Sequence, residues 1–341
     1  MNILASLGLW FLLAGGPQPA GDDTASVTIL AVGDVMMGAS MEPAIREHGA
    51  DHPFAATAQV IRRADIAICN LEAPFGTKGT PFKKRFTFLV PPSYAGALAR
   101  AGFDAVAMAN NHLMDYGAEP LKATIRILDS LGIAHSGAGM DLSEARRPAV
   151  VERNGLKVAF LSYSKVYPAE FWATSRRAGT APGEERYVAE DVAAAKKRAD
   201  LVVVSFHWGA ELMDTPKQYQ RELARLSIDS GADLVLGHHP HILQGMESYK
   251  GRLIAYSLGN FAFGSRSRKC TESVMLEVRL ARGGPREARI IPVCVDNLKT
   301  NFQPAIVSGE AGRAILANLL RISKPLGLEF APTDSVARLR F

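Results

Sequence analysis

From Val27 onward, short apolar runs rich in Val, Ile and Ala alternate with stretches whose apolar residues recur at helical spacing. Residues 27–32, 65–69, 105–108, 157–162, 201–206 and 233–236 read as strands. Residues 55–63, 94–101, 118–131, 189–198 and 217–230, which lie between them, read as helices. Strands this continuously apolar are buried on both faces, which predicts an α/β fold of mostly parallel strands with helices on both faces. Later the period changes. Residues 273–280 and 287–293 alternate polar and apolar side chains, predicting an antiparallel pair joined at Gly283-Gly284-Pro285. One more helical run, 310–320, follows Asn301, and the tail beyond it stays unplaced. The expected organisation is one domain over residues 27–300, with 301–341 as its C-terminal extension.

The first twenty residues differ. Residues 3–14 form an apolar run too short to span a bilayer comfortably, broken by Gly15, Gly16 and Pro17. Gln18-Pro19-Ala20 resembles the small-residue end of a secretory signal. The only positive charge before the run is the terminal amine, so an uncleaved anchor is the alternative. Residues 1–20 are thus expected to be a signal peptide or N-terminal anchor, and the protein to be exported, periplasmic or extracellular.

Composition adds a little. Of 341 residues, 48% are apolar and 21% charged, which is globular and excludes wholesale disorder. The net charge of +5 is a small pull toward acidic partners. With no helix-turn-helix, zinc finger or aromatic-plus-basic repeat, nucleic acid is not an expected partner. Cys69 reads as a small buried hydrophobe. Cys270 and Cys294 flank two strand-like runs and could pair in an oxidising compartment, although two cysteines make no framework.

In α/β sheets ligands collect just beyond the carboxyl ends of the strands, and there the unusual polar residues fall. The first strand ends in Gly33-Asp34, the second in Asn70-Leu71-Glu72, and the third in Asn110-Asn111-His112 with Asp115 close behind. Residues 201–206 lead into His207-Trp208-Gly209, and 233–236 into Gly237-His238-His239-Pro240-His241. Singly, each cluster has an ordinary explanation: Asp34 as a turn residue or helix cap, Asn70 and Glu72 as loop-closing groups, His207 as a satisfied structural histidine. Donor chemistry at five of the six strand ends points instead to a metal site. In extended chain, His239 and His241 face one way and His238 the other, and Pro240 biases His239 away from helix. His239 and His241 are therefore the expected ligand pair, with His238 in an outer contact or against the sheet. Imidazole mixed with carboxylate and amide oxygen suits zinc, manganese or iron. Glu72 is the expected carboxylate shared by two ion positions.

These strings, together with Tyr256-Ser257-Leu258-Gly259-Asn260-Phe261, resemble the signature of the capsule-synthesis CapA family, the poly-gamma-glutamate synthesis proteins, over residues 27 to about 295. That family belongs to the calcineurin-like metallophosphoesterases. The resemblance implies a four-layer αββα sandwich, one or two divalent ions, an anionic polymer or phosphoester substrate, and membrane-bound polymer synthesis machinery as a partner. Carried over, Asp34 matches the first-motif aspartate and Glu72 takes the place of the bridging aspartate. Asn111 and His112 match the Asn-His pair, a metal ligand and a proton donor to the leaving group. His207 matches the lone histidine ligand, and His239 with His241 the paired one.

One position departs from the pattern. Ordinary metallophosphoesterases carry histidine two residues after the first aspartate, and here that residue is Met36. A thioether is a poor ligand for such ions. One ion position is then left with Asp34, Glu72 and His241, while the other keeps Glu72, Asn111, His207 and His239; the second is expected to fill first. Held by Asp115, His112 would protonate a leaving oxygen in a metal-dependent hydrolase. The alternative is a non-catalytic, metal-bound component of a polymer synthesis complex. A third reading, a purely structural interaction domain, has no use for a His112–Asp115 pair. Lys78, Lys83, Lys84 and Arg85 form a basic loop that reads either as a polyanion contact or as a solvated loop. Trp208 reads either as an aromatic wall beside the metal or as core.

Overall fold

The computed structural model describes residues 25–341. Its strands fall into two main sheets. In the larger, the strand Ser26–Met36 has Ile66–Leu71, Ala105–Ala107 and Ala134–Ser136 in parallel succession on one side. On its other side lies the antiparallel hairpin Glu272–Ala281 and Gly284–Cys294. In the six-stranded sheet, Leu156–Ser164, Leu201–His207, Leu234–His238 and Arg252–Leu258 run parallel. Ala149–Arg153 and Leu243–Tyr249 close its edges antiparallel.

Side-chain alternation along these strands builds four layers. Val27, Ile29 and Ala31 point into a core shared with Val158, Phe160, Val203 and Leu236 of the other sheet. Leu30 and Val32 point oppositely, against Ile45, Leu98, Leu121 and Leu128 of the helices Glu42–His48, Gly96–Ala101 and Ala118–Ser130. On the far side, Val202, Val204 and Val235 meet Val188, Val192 and Leu223 of Glu185–Lys196 and Gln218–Asp229. The arrangement is the αββα sandwich that the family resemblance implies. It corrects the expectation from residue pattern alone: each sheet has helices on one face and its partner sheet on the other. Both faces are dry, so the strands read as continuously apolar either way.

All six predicted strands form, as does the hairpin, whose turn is Arg282-Gly283 with Ala281 opposite Gly284. The predicted helix at 55–63 shrinks to Ala58–Ile61 beside a short 3₁₀ turn, His52–Phe54. The C-terminal residues join the same body. Ile315, Leu316 and Leu319 of the helix Gly309–Ser323 enter the inter-sheet core, and Ala337–Arg340 pairs with Gly284–Cys294. Cys69, Cys270 and Cys294 are free thiols, and Glu272 rather than Cys270 sits opposite Cys294. Among the described residues no helix is long and apolar enough to cross a membrane. The expected leader or anchor at residues 1–20 lies outside the described residues.

Candidate metal centre

Strand register brings the polar clusters together. In the larger sheet Asp34 pairs with Asn70, and Asn70 with Ala107, just before the Asn110–Asp115 turn. In the smaller sheet Ser164, His207 and His238 lie on one rung. A bulge aims the first carboxylate: between the pairs Ala31–Ile68 and Asp34–Asn70 the first strand has one extra residue. Gly33 permits this, because a Cβ there would sit 1.9 Å from the Gly259 carbonyl oxygen, and Asp34 N–H donates to that same oxygen at 3.0 Å.

Around Glu72 the imidazoles converge. Its Oε1 is buried without a hydrogen-bond partner and lies 3.7 Å from His241 Nε2, 3.8 Å from His207 Nε2 and 3.9 Å from His112 Nε2. Asp34 Oδ2 is 3.3 Å from His241 Nδ1 and accepts the His239 N–H at 3.3 Å, while its Oδ1 is 3.2 Å from His238 Nδ1. Asn111 Oδ1 is 2.8 Å from His207 Nε2. Ligand atoms of Glu72, His239 and His241 lie within 4.8 Å of one another, as do those of Asp34, Glu72 and His207. Asn70 ties the carboxylates, donating from Nδ2 to Asp34 Oδ1 at 2.8 Å and to Glu72 Oε2 at 3.2 Å. The Asn110 side chain builds the turn beside them, donating to Asn70 Oδ1 and accepting the N–H groups of His112 and Leu113. His112 Nδ1–H donates to Asp115 Oδ2 at 2.7 Å, which leaves Nε2 facing Glu72.

The electrostatics fit a cation. Burial, reinforced by the Asp34 charge, pushes the Glu72 carboxyl well above the usual range. Burial also pushes Asp34 up, but hydrogen bonds from His238 and His241 outweigh it and hold this carboxyl well below. Burial and the neighbouring His241 depress His239 to about 3, and burial with the nearby His239 lowers His207, so both rings are neutral and able to ligate. His241 resists burial because Glu72 and Asp34 raise it to about 9; it carries the positive charge the two carboxylates demand. Separations of 3.7–3.9 Å are too long for hydrogen bonds. They lie inside the about 4.2 Å that two metal–ligand bonds span. An unpaired carboxylate oxygen ringed by imidazole nitrogens at that range suits a divalent ion, and the oxygen-and-nitrogen donor set suits manganese, zinc or iron.

Residues 28–265 match the family described as "Bacterial capsule synthesis protein PGA_cap". The chain belongs to that family. It is 33% identical to PGA biosynthesis protein CapA of Bacillus subtilis (strain 168) over 290 residues, 83% of this chain and 76% of that protein. Capsule biosynthesis protein CapA of Bacillus anthracis is 30% identical over 275 residues, 78% of this chain and 67% of that one. Among solved structures, calcineurin-like phosphoesterase YfkN from Bacillus subtilis is 19% identical with a TM-score of 0.46, over 77% of this chain and 88% of that one.

In this PGA_cap chain, Asp34, Glu72, Asn111, His112, Asp115, His207, His239 and His241 form one contiguous side-chain cluster, though not for every reason the sequence suggests. His239 and His241 have φ of 95° and 61°, so the backbone between them is not extended and strand alternation does not place them. His238 is the residue in the strand, and its imidazole contacts Asp34. The two triads also cut across the ligand division expected from the missing histidine, grouping His239 with His241 and Asp34 with His207. Met36 is buried in the helix-side core, its sulfur accepting the Gly38 N–H at 3.2 Å. Trp208 is core, stacked on Phe206 at 4.4 Å. Sequence reasoning assigned no role to Asn260, whose Oδ1 accepts from His241 Nδ1 at 2.9 Å, although it lies in a quoted motif. The sequence pattern places Lys84 only in a basic loop. Its ammonium instead turns inward to Asp115.

Proposed function

We propose that this protein is a divalent-metal-dependent hydrolase of the cell envelope, acting on a phosphoester or on the anionic polymer itself during capsule or poly-gamma-glutamate assembly. The observation that carries the reading is the unpaired Oε1 of Glu72 with three imidazole Nε2 atoms 3.7–3.9 Å away. Family membership and the names of the Bacillus relatives support the polymer context.

Asp34, Glu72, Asn111, His207, His239 and His241 would hold the metal. When bound, the ion supplies Lewis-acid polarisation of the substrate and a water of lowered pKa. The chain itself manages the proton. Asp115 fixes the His112 ring through Nδ1, so Nε2 is the atom that exchanges a proton with the substrate oxygen. Phe88, whose ring centroid is 4.5 Å from that of His112, and Phe263, 4.9 Å from His241, wall the two rings and limit water.

The test is turnover of a generic phosphodiester and of polyglutamate by the full chain with added manganese. We expect hydrolysis of at least one, with His112→Ala lowering kcat by about 10²–10⁴-fold. Retained metal without turnover of either would replace the hydrolase with the non-catalytic component of a synthesis complex. A Mycobacterium tuberculosis (strain CDC 1551 / Oshkosh) relative, 33% identical over 232 residues and named "Probable polyglutamine synthesis accessory protein MT0602", suits that second reading.

A further inference from the structure

Lys84 belongs to the loop that follows Glu72, yet its side chain is only 18% exposed. Its Nζ lies 2.5 Å from Asp115 Oδ1, donates to the Asn111 carbonyl oxygen, and sits 3.2 Å from His112 Nδ1. The ring of Phe171 covers it, centroid at 5.1 Å. Asp115, fully buried, spends its other oxygen on His112 Nδ1–H and the Phe88 N–H, each at 2.7 Å. A lysine on a solvated loop gains nothing from such partners, because drawing an ammonium out of water is repaid only by a close, well-bonded anion. The two groups Lys84 grips are those that orient His112 and Asn111.

We propose that Lys84 is a positioning residue: its ammonium clamps Asp115 and the Asn111 carbonyl, and thereby fixes the His112 ring with Nε2, and the Asn111 amide with Oδ1, facing the candidate metal centre. The proposal rests on the hydrolase reading for its consequence in turnover, but not for its geometry. The competing account is that Lys84 is merely held by Asp115 and the Asn111 carbonyl without holding them, so that its loss leaves both His112 and the Phe88 ring over it unmoved.

Ring-current shift separates the two. In full-length protein with ¹³C-labelled histidine, Phe88 should displace the His112 ring C–H resonance upfield, and His112→Asn assigns that signal. Lys84→Met is expected to move it toward the free-histidine value while the distant His135 signal stays put. Lys84→Cys alkylated with 2-bromoethylamine, which rebuilds an ammonium of nearly the same reach, is expected to restore it. Turnover should follow, with kcat down about tenfold or more and KM within about threefold. An unmoved His112 signal in Lys84→Met overturns the proposal. Should that variant not fold, Lys84→Gln is read by the same criterion. A chain without hydrolytic activity removes the turnover arm and defeats the hydrolase reading, whereas the resonance alone still decides the role of Lys84.

Discussion

Buried side by side, Asp34 and Glu72 lose hydration and repel each other, which is why the Glu72 carboxyl is pushed up; a bound positive charge offsets the cost of ionising both. Without an ion, protonated His241 supplies it. A metal must displace that proton, so affinity is linked to pH. His241 titrates at about 9, so the competing proton is present below that value and absent above it. Apparent metal affinity should rise by about tenfold per pH unit from 7 to 9 and then level off. Titrations at three pH values would show it; a flat profile would place His241 outside the ion's reach. Asn260 tests the same ring from behind. Asn260→Ala removes the acceptor of His241 Nδ1 and should weaken metal binding about 10–100-fold, read by competition with a chromophoric chelator.

Strands and turns differ in how plainly sequence announces them. The six core strands were legible because both their faces are dry. Ala149–Arg153, largely open to solvent, and Leu243–Tyr249, which contains Gln244, Gly245 and Glu247, carry no such run, so the pattern does not mark them as strands. The clusters at the strand ends were legible as chemistry, whereas their geometry was not. Alternation in an extended chain pairs His239 with His241, but it is positive-φ backbone at both residues that makes the pair. No spacing rule announces a lysine that folds inward across its own loop, as Lys84 does. The bulge at Gly33 was equally silent, although it aims Asp34. Gly33→Ala would drive a Cβ into the Gly259 carbonyl, and we expect a loss of about 1–3 kcal/mol or more. The urea midpoint measures it, and an unchanged midpoint would mean that the two backbones approach less closely.

For the whole molecule, the two-sheet arrangement is what makes the site. Asp34, Glu72 and Asn111 come from one sheet and its following turns, His207, His239 and His241 from the other, so the cluster forms only where the two sets of strand ends meet. Apolar periodicity cannot tell a sheet between two helix layers from a sheet packed on another sheet, and here the motif resemblance carried the information that periodicity lacked. The shared core also couples the halves: Val27 and Ile29 of one sheet belong to the same apolar core as Val158 and Val203 of the other, so the two sheets that carry the carboxylate and imidazole sets are packed into one body. Counting metal tests this account most directly. The full chain, loaded with manganese, zinc or iron and then dialysed, should retain at least one equivalent per chain; His112→Ala should keep it and His239→Ala should lose it. Wild-type protein that holds no ion, or a His239→Ala variant that holds as much as wild type, would contradict the account.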